Sequence, residues 1–172
     1  WERDAISTLR LPADLLTPWL HALELSYFDA ATLAVLTIPA GGLPHLQSLV
    51  LHCPQDGEME LTWLAACLRL TRLHLYGCQL PSLPPGLTAL AALQDLNLRD
   101  SLYMAEEQEL VPLVALKQLT SLNLSLNYLS LMPAAVRSLP ALQVMLRVES
   151  PYPLHDASRC GTPIAAVSPP GL

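Results

Sequence analysis

Leucine returns along this chain at two superposed intervals. Short segments carry apolar side chains on alternate residues, as at Leu49-Val50-Leu51, Leu73-His74-Leu75, Leu96-Asn97-Leu98 and Leu122-Asn123-Leu124. Alternation sends successive side chains to opposite faces of an extended strand, so each segment is expected to bury its leucines and expose the residues between them. A further leucine stands three residues earlier in each case, at Leu46, Leu70, Leu93 and Leu119, and these are 24, 23 and 26 residues apart. Another unit begins at Leu142 with Met145, where Arg147 takes a place that is apolar elsewhere, as expected of a degenerate last repeat.

A second pattern fills the intervals. Cys78, Leu80, Leu83, Pro84, Leu87, Leu90 and Leu93 keep the same offsets as Asn127, Leu129, Met132, Pro133, Val136, Leu139 and Leu142. With the strand leucines, these positions resemble the leucine-rich repeat family of the type LxxLxLxxNxLxxLPxxLxxLxx, over residues 46–142. The resemblance implies an α/β repeat fold: a curved leucine-rich repeat solenoid with a parallel sheet on its concave face and a convex side of mixed helical and extended returns. No single repeat can bury its own leucines, so successive turns must stack, with strands roughly 4.8 Å apart. In the family, an asparagine three residues after the second strand leucine hydrogen-bonds the backbone of neighbouring turns, a task suited to a side chain with both donors and an acceptor. Asn127 and Cys78 match that structural ladder, while Ser101 and Pro54 depart from it.

The returns differ from one another. LPSLPPGL (80–87) is expected to be extended or polyproline-like, whereas MAEEQELVPLVAL (104–116) places Leu110, Leu113 and Val114 at helical spacing behind acidic residues. Upstream, Leu20-Leu23-Leu25 and Leu33-Leu36-Ile38 also fit the strand pattern, but only 13 residues separate their first members. They are expected to be irregular strands with abbreviated returns, or a hairpin capping the sheet. The expected organisation is a capping segment over 1–18, repeats over 19–148 (irregular over 19–45, regular over 46–148), and a C-terminal cap and proline-rich tail over 149–172. The stretch LRLPADLLTPWL (9–20) also resembles the opening of an F-box, but only over about ten residues, after which LHALEL follows directly. The start at WERDAIS, without an initiator methionine, suggests a processed product or part of a longer polypeptide.

Composition narrows the function classes. The chain is 52% hydrophobic and 14% charged, too apolar for a disordered segment. Its mean hydropathy is +0.36, yet polar residues or prolines interrupt every apolar stretch, so no membrane insertion is expected. A net charge of −6 with one lysine, Lys117, offers no basic patch for a phosphate backbone, and nucleic acid is not an expected partner. Cys53, Cys67, Cys78 and Cys160 form no CxxC pair, which argues against a disulfide framework and a zinc finger and for a reducing, intracellular and cytoplasmic setting.

In this frame the outward residues form rows: Ser48, Val50, His52; Arg72, His74, Tyr76; Asp95, Asn97, Arg99; Ser121, Asn123, Ser125. Their aromatic, guanidinium and carboxamide groups are common at protein interfaces. The candidate partner-binding residues are His52, Arg72, His74, Tyr76, Asp95, Asn97, Arg99, Ser121, Asn123 and Ser125. A zinc site from His52, His74, Cys53 and Cys78 is not expected, because His52 and Cys53 are consecutive and face opposite sides. No GxSxG, HExxH or phosphate-loop signature occurs, so neither an enzyme, a cofactor nor a metal is expected. The expected function is a non-enzymatic protein-interaction module that binds another protein on its concave face. One alternative is an accessory subunit of a larger assembly, docking by its convex side and termini. Another is the substrate-recognition part of a ubiquitin-ligase adaptor or immune receptor.

Overall fold

The structure, a computed structural model, describes residues 19–26, 43–53, 61–102, 107–127, 129 and 133–146. Six strands form one parallel sheet in chain order: β1 (Ala22–Leu25), β2 (Ser48–His52), β3 (Arg72–Tyr76), β4 (Asp95–Asn97), β5 (Ser121–Asn123) and β6 (Val144–Leu146). The strand leucines align: Leu23, Leu49, Leu73, Leu96, Leu122 and Met145 occupy one row across the sheet. The middle four of these are wholly buried. Buried leucines from every turn join in a single core, as stacking requires.

Each strand begins with the same hydrogen-bonded staple. One carbonyl accepts two consecutive N–H groups of the next turn: His21 from Gln47 and Ser48, Gln47 from Thr71 and Arg72, Thr71 from Gln94 and Asp95, Gln94 from Thr120 and Ser121, and Thr120 from Gln143 and Val144. Thr71 and Thr120 add their hydroxyls to the carbonyls of Gln47 and Gln94.

The returns are tighter than their sequence suggested. Thr62–Ala66, Pro85–Ala89 and Glu107–Ala115 are 3₁₀ helices, and among the described residues only Ala134–Arg137 is α-helical. The stretch expected to be polyproline-like thus leads into a 3₁₀ helix, and the stretch expected at ordinary helical spacing is itself 3₁₀. The cause lies in the buried residues, which recur strictly every third position: Leu61, Leu64, Cys67, Leu70; Leu87, Leu90, Leu93; and Leu110, Leu113, Leu116, Leu119. A helix with 3.0 residues per turn keeps that whole row facing inward, whereas one with 3.6 would rotate it away. Hydrogen bonds to the third residue back confirm the winding, as from Leu64 to Leu61, Cys67 to Leu64, Leu87 to Pro84 and Leu116 to Leu113. The returns also approach backbone to backbone, since a Cβ on Gly86 would lie 2.6 Å from the Ala65 nitrogen.

The asparagine ladder is present at Asn127. Its Oδ1 accepts the N–H groups of Ser101 and Leu102, both at 2.9 Å, and its Nδ2 donates to the Leu98 carbonyl at 2.8 Å. Ser101, a departure from the family pattern, fills the same place one turn earlier: its Oγ donates to the Leu75 carbonyl at 2.6 Å and accepts the Cys78 N–H at 3.3 Å.

One expectation is corrected here. Cys53 and Cys78 are joined in a disulfide across 25 residues, with Cα atoms 4.7 Å apart, so these cysteines do pair. The wide spacing that argued against pairing is one turn of the solenoid, which brings the two cysteines together just past β2 and β3, where the Cys53 N–H bonds the Tyr76 carbonyl. The pairing removes the cysteine argument for a reducing compartment. In the upstream region, β1 bonds directly to β2, so Leu20 and Leu46 bound one full turn. The expected strand at Leu33-Leu36-Ile38 lies outside the described residues, as do Pro54, Met132, Cys160, the segment 1–18 and the tail 149–172. Among the described residues no helix is long and apolar enough to cross a membrane.

Reduction of the Cys53–Cys78 bridge should cost about 2–4 kcal/mol of stability, because it frees the intervening loop in the unfolded chain. Urea unfolding with and without a dithiol reductant measures this as a lower midpoint. Cys67, buried and with its thiol pKa pushed up by that burial, should stay unreactive toward thiol reagents until the chain unfolds.

A polar and aromatic network on the concave sheet face

Strand pairing fixes the rows of the exposed face. Ser48, Arg72, Asp95, Ser121 and Val144 stand side by side, as do Glu24, Val50, His74, Asn97, Asn123 and Leu146, while His52 stands beside Tyr76. Of the candidate residues, nine lie on this face or its margin. Ser125 does not: it is 2% exposed and its Oγ has no hydrogen-bond partner among the described residues. The strand ends at Asn123 and the backbone turns, with Leu126 at a φ of 60°, so alternation no longer carries position 125 outward.

The centre of the face is a connected network. His74 Nε2–H donates to Asp95 Oδ2 at 2.9 Å, because a carboxylate can only accept, and Nδ1 on the other side takes the Tyr76 hydroxyl proton at 3.2 Å. The same hydroxyl oxygen accepts from Asn97 Nδ2 at 3.2 Å. Arg72 Nε shares Asp95 Oδ2 at 3.4 Å. Asn97 Oδ1 accepts the Arg99 N–H and Asn123 Oδ1 the Ser125 N–H, so each asparagine closes the turn that follows its own strand. Three side chains from β3 and two from β4 therefore hold one another in place.

Tyr76 also stacks on His52, with ring centroids 4.6 Å apart and planes inclined by 18°. Glu24 Oε1 stands 4.0 Å from His52 Nε2. Glu24 was missed in the sequence because the first turns had no secure repeat spacing, although its place between Leu23 and Leu25 marks it as outward. Arg99 is exposed, and its guanidinium has no ion pair among the described residues.

The arrangement of aspartate, histidine and hydroxyl has the outline of a nucleophile and its base, yet its electrostatics run the other way. Burial, and next the Asp95 charge, push the Tyr76 phenol above its ordinary value, with Arg99 opposing. A nucleophile needs its conjugate base made more accessible, not less. Among the described residues no group of three or more histidine, cysteine or acidic side chains could hold a metal ion.

The comparisons with known proteins agree with the architecture. No family model matches the chain. Over 99 residues, 58% of its length, the chain is 31% identical to the volume-regulated anion channel subunit LRRC8E of Mus musculus and of Homo sapiens. It is 29% identical over 100 residues to the LRRC8D subunit of Rattus norvegicus. The chain spans only 12% of the length of each of these relatives. Among solved structures, an internalin from Listeria monocytogenes superposes with a TM-score of 0.57 at 18% identity, covering 80% of this chain and 38% of that one. A leucine-rich repeat protein from Leptospira interrogans gives 0.54 at 20% identity, covering 81% and 39%. The chain is a leucine-rich repeat solenoid.

The raised pKa of Tyr76 fixes the sign of its pH dependence. The native state holds the phenolic proton more tightly than the unfolded chain does, so this contribution to stability is whole at neutral pH and is lost as pH rises through and beyond 10.0. Ultraviolet titration of the wild type minus Tyr76→Phe should show a phenol with a midpoint above 10.0. A midpoint at or below that value would mean the hydroxyl is not enclosed as described.

Proposed function

We propose that this chain is a non-enzymatic protein-interaction module whose concave face binds a partner protein, with the His52–Tyr76 stack and the Arg72, His74, Asp95, Asn97 network as its centre. Ser121 and Asn123 extend the face, and Arg99 supplies a cation at its margin. The observation that carries the proposal is the preorganisation of Tyr76, whose ring is stacked on His52 and whose hydroxyl is held by His74 and Asn97. Aromatic and arginine side chains held in one conformation dominate binding energy, because little entropy remains to be lost on association. The leucine-rich repeat fold supports the general role, since its solenoid presents an extended surface built from many turns. Catalysis is disfavoured by a hydroxyl whose proton is held more tightly than usual. The relatives include anion-channel subunits many times longer than this chain, and we infer no channel activity from the shared stretch.

Docking by the convex side remains the rival, and Val111, 58% exposed on the return helix Glu107–Ala115, is the residue that would serve it. Capture from native extract with quantitative mass spectrometry should compare the wild type with Arg99→Glu and Tyr76→Ala, each checked for folding by circular dichroism, and with Val111→Asp. The concave reading expects at least a tenfold loss of the same bound protein in the first two variants and none in the third. Loss confined to Val111→Asp would transfer the function to the convex side.

A further inference from the structure

The concave face changes character along the solenoid. Through β2, β3 and β4 its outward side chains are polar or charged apart from Val50, and on β5 they are Ser121 and Asn123. On β6 they become Val144 and Leu146, which are 51% and 55% exposed. Strand pairing places Val144 beside Ser121 and Leu146 beside Asn123. The two aliphatic side chains therefore belong to the binding face, while Met145 between them packs against the core.

They are distinct from the inward apolar row at the last described turn, Leu142 and Met145, which pack on the core from within. Val144 and Leu146 point the other way. Two adjacent exposed aliphatic residues beside an ordered polar network form a docking surface with two halves.

The charged half has a sign. Asp95 is engaged by both Arg72 and His74, and Glu24 stands near His52, whereas the exposed Arg99 guanidinium has no acidic partner among the described residues. Charge complementarity at that margin calls for a carboxylate, which arginine can grip with two parallel hydrogen bonds. Leu146 is level with Asn97 and Val144 with Asp95, so strands about 4.8 Å apart with a rise of about 3.3 Å per residue put Arg99, two residues beyond Asn97, about 12 Å from Leu146 and about 16 Å from Val144.

We propose that the partner of this face is a protein segment lying across the strands, which sets an acidic side chain on Arg99 and an aliphatic side chain on Val144 and Leu146, about 12 Å or more away. This rests on the concave-face function proposed above and adds the partner's chemistry. In an extended segment the two residues stand about four positions apart, an even spacing that keeps both side chains on one face. In a helix they stand about seven apart, on one face.

The test uses the whole chain and a random peptide display library. Selection on the wild type, with counter-selection on Tyr76→Ala, collects peptides that need the network. The proposal expects these peptides to share an aspartate or glutamate and an aliphatic residue at one of those spacings. A synthetic peptide from the set should lose at least tenfold in affinity on Val144→Ser/Leu146→Ser. It should lose as much when its acidic residue is changed to lysine, and regain binding when that lysine peptide meets Arg99→Glu. The peptide substitution uses wild-type protein, so it stands even if the double serine variant fails to fold. Peptides that need Tyr76 but show no acidic residue, or are indifferent to Val144 and Leu146, would overturn this inference and leave the concave-face function in place. A library yielding no peptide that needs Tyr76 or Arg99 would overturn both.

Discussion

No turn of this chain can bury its own leucines. One turn of roughly two dozen residues supplies a strand and a short return, with an inward apolar row that only the next turn can cover. Stacking is therefore obligatory, and the fold is a consequence of repeating that constraint. The staple carbonyls of His21, Gln47, Thr71, Gln94 and Thr120 set the pitch, each bonding two N–H groups of the following turn. Asn127 and Ser101 hold the opposite end of the strands at the same pitch. The exposed sheet face inherits this spacing. His74 meets Asp95, and Tyr76 meets His52 and Asn97, because the core leucines align in register beneath them.

The strands were legible in the sequence because period two leaves no ambiguity once one face is apolar, and all of β2 to β5 fall where the leucines placed them. Asn127 was legible because its chemistry suits its place. The returns were less so. Leu110, Leu113 and Leu116 fit a helix of either kind over two turns, and only the continuation to Leu119 shows that the period is three. The Cys53–Cys78 pair was hidden because wide spacing without CxxC was read against pairing, although 25 residues is one turn of the solenoid. Ser125 was misplaced because strand alternation was carried past Asn123, where β5 ends. Ser101 shows that a residue unlike the family's own can do the same work when its hydroxyl reaches both a carbonyl and an N–H.

The candidate site was legible as a set of residues but not as a network. Alternation alone placed Arg72, His74, Tyr76, Asp95 and Asn97 on one face. Which of them touch depends on side-chain rotamers and on the strand register, which put Asp95 beside Arg72 and within reach of His74. The same network argues for recognition over catalysis, since it fixes the Tyr76 ring while holding its proton. The disulfide adds a covalent link between the turns that carry His52 and Tyr76, just beyond the stacked pair.

The claim that stacking governs everything else is tested most directly by native-state hydrogen exchange at the staple amides. If the turns are one cooperative array, the amides of Arg72, Asp95 and Ser121 should exchange together at the slowest rate, and those of Ser48 and Val144 at the ends should exchange faster. Independent rates for the three central amides, or slower exchange at the ends than in the middle, would contradict the account.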